Sequence, residues 1–348
     1  MQVHFNPWGK LQGKDVYLVE ANHEGIGLRM QLSNFGATLV RLDYALDDGS
    51  LLPVVYPLAT LGQYLEADYY PGAIIGRYAN RIGGAAFGIG NQIFKLSENG
   101  QGYSLHGGAE GFSHRVWDLV DYSIFDDEAI ITFRLFSPDG DQGFPGNLSV
   151  TAMYHLSAHR LMVNYQAETD QPTHVNLTTH GYFNLSGFGQ GVHHHQMTIQ
   201  ADKFLEVDER IVATGEMTEV AGSAFDFRKA KTLEQGMQQL GDIFNHCLVL
   251  SHPGLHTPAA TVFCPSTGMQ MKVTTTQPGF QLYTPIERPS VQHPDLPVSG
   301  IESGQPWAFC LEPQHLPNTP NIAHFPSTLL LPGQKYQQTT IFEFSRKY

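Results

Sequence analysis

The sequence predicts an all-β protein, and three observations carry that prediction. The first is period-two alternation. Ile131, Phe133 and Leu135 alternate with Thr132 and Arg134, and Leu148, Val150, Ala152, Tyr154 and Leu156 alternate with Ser149, Thr151, Met153 and His155. After a turn around 157–160, Leu161, Val163, Tyr165 and Ala167 repeat the pattern. Successive strand side chains point to opposite faces, so the last two runs describe a hairpin with one buried face. The second observation is turn chemistry. Asp47-Asp48-Gly49-Ser50, Glu98-Asn99-Gly100, Ser137-Pro138-Asp139-Gly140, Gln277-Pro278-Gly279 and Leu331-Pro332-Gly333 separate the apolar runs. Glycine makes up 35 of 348 residues, above the typical share of ~7%. The third is the scarcity of helical pattern. Thr60 to Ala67 and Thr232 to Leu240 read as short helices, the second weakened by Gly236. The strand–helix alternation of a parallel α/β fold is missing.

A chain of 348 residues buries a large core as one big domain or two ordinary ones. Without an internal repeat, a low-complexity tract or a long polar linker, a single domain over 1–348 is expected. The net charge of −13, from 33 acidic and 20 basic residues with no basic cluster, excludes the footprint of a nucleic-acid or anionic-membrane binder. Cys247, Cys264 and Cys310 form neither a C-x-x-C nor a metal spacing, which points to a reducing compartment. No signal peptide and no long apolar span are visible. A cytoplasmic protein, monomer or homodimer, is therefore expected.

Candidate chemistry sits in five polar stretches beside strands or glycine turns: 76–82, 105–108, 176–185, 278–284 and 310–314. Glu312 follows Trp307-Ala-Phe-Cys-Leu311, which reads as a buried strand; a carboxylate at its end must find donors or reach a cavity. A structural, hydrogen-bonded carboxylate fits the same residues. His180, among Tyr182, Phe183 and Leu185, fits a core histidine as well as a catalyst. His106 precedes Gly107-Gly108, which permit close backbone approach to a ligand. Asn80 and Arg81 suit sugar hydroxyls, or equally a turn and a surface ion pair.

Taken together, these stretches make the chain resemble the aldose 1-epimerase (galactose mutarotase) family. The resemblance runs from Leu32-Ser33-Asn34-Phe35-Gly36-Ala37 to Leu331-Pro332-Gly333. It rests on Asn-Arg-Ile at 80–82, Leu-His-Gly-Gly at 105–108, His-x-Tyr-Phe-Asn-Leu from His180 and Leu-Glu-Pro-Gln at 311–314. It implies a large antiparallel β-sandwich with a few short helices, a shallow sugar cleft and no cofactor or metal. It also implies that Glu312 is the catalytic base, His180 the acid and His106 a second cleft histidine. By the same resemblance Asn80, Arg81 and Gln281 bind sugar hydroxyls. Two positions depart from the family pattern: Asn245 stands where an aspartate that contacts a sugar hydroxyl is usual, and Thr179 where asparagine commonly precedes the histidine. Asparagine loses the charge and gains two donors.

The residue types suit the reaction. Mutarotation removes a proton from the C1 hydroxyl, delivers one to the ring oxygen and recloses the ring on the other face. Ordinary values of about 4.3 for glutamate and about 6.5 for histidine leave the first ionised and the second titrating near neutrality. This reading requires Glu312 and His180 to face one hollow, with a pyranose between them. Three rivals remain. A glycosidase would pair Glu312 with Asp226 or Asp202, and a sugar sensor would bind without catalysis. A mutarotase for a pentose or phosphorylated sugar would, for the phosphate, need an anion site that only Arg77 and Arg81 hint at. His193-His194-His195 and Gly187-x-Gly189-x-Gly191 read as loops rather than as a metal or dinucleotide site.

Overall fold

Alternating apolar residues resolve into antiparallel sheets in the computed structural model, which describes residues 1–23, 25–294, 296 and 298–347. The largest sheet has nine strands and is built around the predicted hairpin, Leu148–Leu156 against Arg160–Thr169, paired from Leu148↔Thr169 to Leu156↔Leu161. Its partners include Ala129–Ser137 on one side and Tyr336–Arg346 on the other. One five-stranded sheet occupies Gln2–Leu11 to Leu51–Val55 in chain order. A second runs in the order Ala213–Glu219, Ala201–Val207, Asn245–Leu250, Gly279–Tyr283, Cys310–Gln314. A single apolar cluster joins all three sheets, with Leu32 and Leu42, Phe133 and Tyr154, Phe280 and Leu311 among its members. This is the sandwich the alternation demands: each sheet buries its apolar face against another. Among the described residues, no helix is long and apolar enough to cross a membrane.

The second five-stranded sheet matters most for function, because both of its faces are covered in the last two strands. Across them Phe280 pairs with Pro313, Gln281 with Glu312 and Leu282 with Leu311, while Cys247 pairs with Gln281 on the other side. Period two sends Leu248, Phe280, Leu282 and Leu311 into the core and aims Cys247, Gln281 and Glu312 at the opposite face. One boundary differs from the sequence expectation. The apolar run from Trp307 divides: Phe309 exchanges two backbone hydrogen bonds with Phe183, at 2.8 and 3.0 Å, and the ladder with Gly279–Tyr283 begins only at Cys310. Glu312 thus lies in the middle of its strand rather than at its end.

Both expected helices form, each started by a capping box. Thr60 caps Leu61–Glu66 with Gln63, and Thr232 caps Leu233–Leu240 with Gln235; each box satisfies two otherwise orphaned backbone donors. Gly236 does not break the second helix, and its lack of a side chain has a packing reason. A Cβ there would stand 2.6 Å from the buried Phe244 ring and 3.2 Å from Phe227. Gly236→Ala gains about 1 kcal/mol of helix propensity but overpacks this contact, a penalty of about 1–3 kcal/mol. Urea denaturation is therefore expected to find the variant less stable than wild type, opposite to the helix scale.

Candidate active site

Three side chains gather on the non-core face of the second five-stranded sheet. Glu312 is 2% exposed, His180 5% and His106 7%. His180 Nε2 stands 3.8 Å from Glu312 Oε1, the two histidine rings are 5.4 Å apart at their centroids, and one donor atom from each of the three lies within 4.8 Å of the others. A pyranose cannot lie between Glu312 and His180 at that separation, so the expected arrangement is corrected: a ligand rests against the pair. For a hemiacetal this is the better geometry, since its two reacting oxygens hang on one carbon.

Each residue is held by its neighbours. His180 stacks on Tyr182 at 5.0 Å and 23°, and Tyr182 stacks on Trp307 at 5.2 Å and 6°. The phenol of Tyr182 donates to Tyr69 O at 2.8 Å and the Trp307 indole to Glu287 O at 2.7 Å, so the column is anchored at both polar tips. Cys310 Sγ sits 3.7 Å from His180 Nδ1. His106 is fixed by Asn80: the His106 amide donates to Asn80 O at 3.1 Å and the Asn80 amide to His106 Nδ1 at 3.2 Å. Both residues have positive φ, 53° and 65°. The turn after His106 needs glycine, because a Cβ on Gly107, at φ 87°, would meet Gly76 O at 2.0 Å.

A polar wall adjoins this floor. Gln281, register partner of Glu312, donates from Nε2 to Asn245 Oδ1 at 2.8 Å. Asn80, Asn245 and Gln281 line a small hollow with Leu205, Ile211 and Pro317. Asn80 Oδ1 accepts from the Arg81 amide at 2.8 Å. The Arg81 guanidinium lies 5.1 Å over the Tyr103 ring, and among the described residues its buried Nε has no hydrogen-bond partner. All seven residues singled out in the sequence, Glu312, His180, His106, Asn80, Arg81, Asn245 and Gln281, thus belong to one connected patch.

Burial dominates the electrostatics. Among the described residues neither Glu312 oxygen accepts a hydrogen bond, and Oε2 is buried without a partner. Desolvation pushes the Glu312 carboxyl up to about 8, with Arg81 opposing. His180 is pulled down to about 4 by burial. His106 falls well below the usual histidine range through burial, then through His180 and Arg81. A separation of 3.8 Å is beyond hydrogen-bond reach, so no bond compensates the lost hydration of two charges, and the ligand-free pair is a carboxylic acid beside a neutral imidazole. The sequence expectation of an ionised glutamate and a histidine near 6.5 changes accordingly.

The same three residues are a His₂-carboxylate donor set of the kind that holds zinc. Their chemistry does not fit a metal. A neutral imidazole has one lone pair, and that of His106 already accepts the Asn80 amide proton at Nδ1, leaving the proton on Nε2.

Several residues of the quoted stretches serve as scaffold. Arg77, 2% exposed, donates to the carbonyls of Ser137, Pro138, Pro145 and Gly146 and to the Ser137 and Thr173 hydroxyls; it ties down a loop and is not available to a phosphate. Thr179 hydrogen-bonds Tyr165, on the core side, so its departure from the family pattern leaves the cleft untouched. Asp202, exposed, and Asp226, half-buried, both pair with Arg228, at 3.8 and 2.9 Å, while the groups collected around Glu312 are imidazoles. His193 to His195 and the glycine run before them lie in turns and irregular chain with no following helix. Tyr70 also borders the site, without a signal in the sequence. Its ring stands 4.9 Å from His106 and 6.2 Å from His180, yet Tyr69-Tyr70-Pro71-Gly72 reads only as a turn. Cys310 and Trp307 read, in sequence, only as parts of an apolar strand.

The chain is similar to known mutarotases and aldose 1-epimerases. The sequence profile of aldose 1-epimerases matches residues 17–343. Galactose mutarotase of Sus scrofa is 39% identical over 327 residues, 91% of each chain. Aldose 1-epimerase of Escherichia coli K12 is 35% identical over 328 residues, 91% of this chain and 92% of its own. The crystal structure of galactose 1-epimerase from Lactobacillus acidophilus superposes with a TM-score of 0.84 at 27% identity, covering 100% of this chain and 99% of that one. The chain belongs to the aldose 1-epimerase family. Its function is that of a mutarotase, an isomerase of sugar anomers.

With both histidines pulled below their ordinary range by burial, their rings are expected to stay neutral at pH values where an ordinary histidine, near about 6.5, takes up a proton. NMR titration of ring ¹⁵N-labelled protein measures this directly; a charged His106 at pH 6 would contradict the desolvation described here.

Proposed function

We propose that Glu312 and His180 carry the two proton transfers of mutarotation on a free aldohexose such as galactose or glucose, while His106, Asn80, Arg81, Asn245 and Gln281 hold the sugar against them. The observation that carries this reading is the 3.8 Å approach of His180 Nε2 to Glu312 Oε1 in a nearly buried corner. Oxygens O1 and O5 of a hemiacetal share one carbon, so an acid and a base this close reach both from one side.

The pair works with one proton between its two members. As carboxylate and imidazolium, it takes the O1 proton onto Glu312 and delivers one from His180 Nε2 to the ring oxygen. The ring opens, and the pair becomes carboxylic acid and imidazole. Rotation about C1–C2 exposes the other aldehyde face, and reclosure runs the same transfers backwards. Burial favours the second form in the free enzyme, with Glu312 up to about 8 and His180 down to about 4, but the proton count is the same in both. Hydroxyl contacts from the polar wall fix the ring's register, the entropic part of the acceleration. Neutral His106, carrying its proton on Nε2, supplies a hydrogen bond where negative charge builds on oxygen. We further propose one domain over 1–348 and a cytoplasmic monomer or homodimer.

Polarimetry on freshly dissolved α-D-glucose and α-D-galactose tests the roles. Glu312→Gln and His180→Gln are each expected to lower kcat by about 10²–10⁴-fold with unchanged circular dichroism; a variant with the wild-type rate removes that residue from the mechanism. The pH profile follows from the shared proton. Glu312 is raised, so the pair loses its proton only above about pH 8 and the rate falls there. His180 is lowered, so a second proton enters only near pH 4 and the rate falls below it. These are values of the pair rather than of either residue alone. An acid limb near 6.5 would speak against a buried, neutral His180.

A further inference from the structure

Two stretches of the site pass each other in antiparallel sense. Phe183 pairs with Phe309, His180 Nε2 stands 3.8 Å from Glu312 Oε1, and Asn176 Oδ1 accepts from the His315 amide at 2.8 Å. Following the first stretch backwards and the second forwards sets Thr178 opposite Gln314. Gln314 is two residues beyond Glu312 on one strand and shares its face. Thr178 faces away from its neighbour Thr179, whose hydroxyl turns to Tyr165 in the core. Thr178 and Gln314 are fully buried, and Glu312 nearly so. Between the two fixed contacts, four polar atoms are buried without a partner among the described residues: Thr178 Oγ1, Gln314 Oε1 and Nε2, and Glu312 Oε2.

We infer that Thr178 and Gln314 hold an ordered water molecule behind the catalytic pair, and that through it they act as positioning residues for Glu312. The inference rests on the reading of Glu312 as the group that takes the O1 proton. Buried polar groups in folded proteins find partners, and no direct bond joins these atoms. Water suits them because it donates and accepts at once, and internal waters settle where about three such groups converge. It accepts from the Thr178 hydroxyl or the Gln314 amide and donates to Glu312 Oε2. A carboxylate gains more from that donation than a carboxylic acid does. The water therefore offsets part of the desolvation and favours the ionised form that the cycle needs. Glu312 is also faced by the imidazoles of His180 and His106, the Arg81 cation, the thiols of Cys247 and Cys310, and the phenols of Tyr182 and Tyr283. Burial holds these thiols and phenols neutral. With no exposed surface, neither Thr178 nor Gln314 touches the sugar.

A crystal structure of the ligand-free enzyme, at a resolution that shows internal water, tests the site directly. A water oxygen within hydrogen-bond reach of Glu312 Oε2 and of Thr178 or Gln314 is expected. Side chains bonded directly to one another, or no water there, overturn the inference. Kinetics test the role. Thr178→Val and Gln314→Met are each expected to lower kcat about tenfold with KM unchanged, the effect of one hydrogen bond to a charged group. Each is also expected to move the basic limb of kcat/KM upwards by about one pH unit, because a carboxylate that has lost a donor keeps its proton to higher pH. Thr178→Ser, which keeps the hydroxyl, is expected to retain the wild-type rate and limb. Thr178→Val with both kcat and basic limb of the wild type overturns the positioning role. If Gln314→Met does not fold, Thr178→Val and Thr178→Ser decide. Failure of the underlying reading is separate, since it would appear as a wild-type rate in Glu312→Gln with the water still in place.

Discussion

The alternation of the strand Cys310–Gln314 governs both the packing and the chemistry of this protein. Leu311 belongs to the core that joins the three sheets, while Glu312 belongs to the cleft. The register Cys247↔Gln281↔Glu312 carries the same division across three adjacent strands. A shift of one residue in that pairing would send Glu312 into the core and Leu311 into the cleft. The core therefore holds the carboxylate in place: moving it requires unpacking Phe280, Leu282 and Leu311.

Holding a carboxyl group there has an electrostatic consequence. Among the described residues Glu312 has no hydrogen-bond donor, and the Arg81 cation acts on it from nearby. Burial raises its proton affinity and lowers that of His180, so the free site stores its one mobile proton on the carboxyl. In the proposed cycle that proton passes to His180, so the sugar meets a carboxylate that can take a proton and an imidazolium that can give one. The ordinary solution values of the two side chains would describe a different site. What makes them a working pair is the dry surrounding they share.

Membership of a motif is a poor guide to which residues touch a ligand. Arg77 and Asn80 lie three residues apart, yet Arg77 spends its guanidinium on the 137–146 loop and Asn80 holds His106. Asn184, in the stretch after His180, donates to Gln190 O and Trp307 O, bracing the aromatic column rather than the cleft. Thr179, which ends the short strand Thr178–Thr179, turns to Tyr165, while His180, just after it, turns to Glu312.

The sequence by itself determined the all-β class, the central hairpin, the two short helices and the seven polar residues of the patch. It could do so because strand alternation and turn glycines are local codes, and because the ordered motifs single out their residues. Tertiary structure alone decided the rest. The break of the apolar run at Phe309 depends on a partner, Phe183, more than a hundred positions away. Gly236 looks like a weak helix residue until the Phe244 ring fills the space beside it. The near contact of Glu312 with His180, the thiol at His180 Nδ1 and the inverted proton affinities come from three-dimensional neighbours and from the exclusion of water, and neither is encoded within any one stretch of chain.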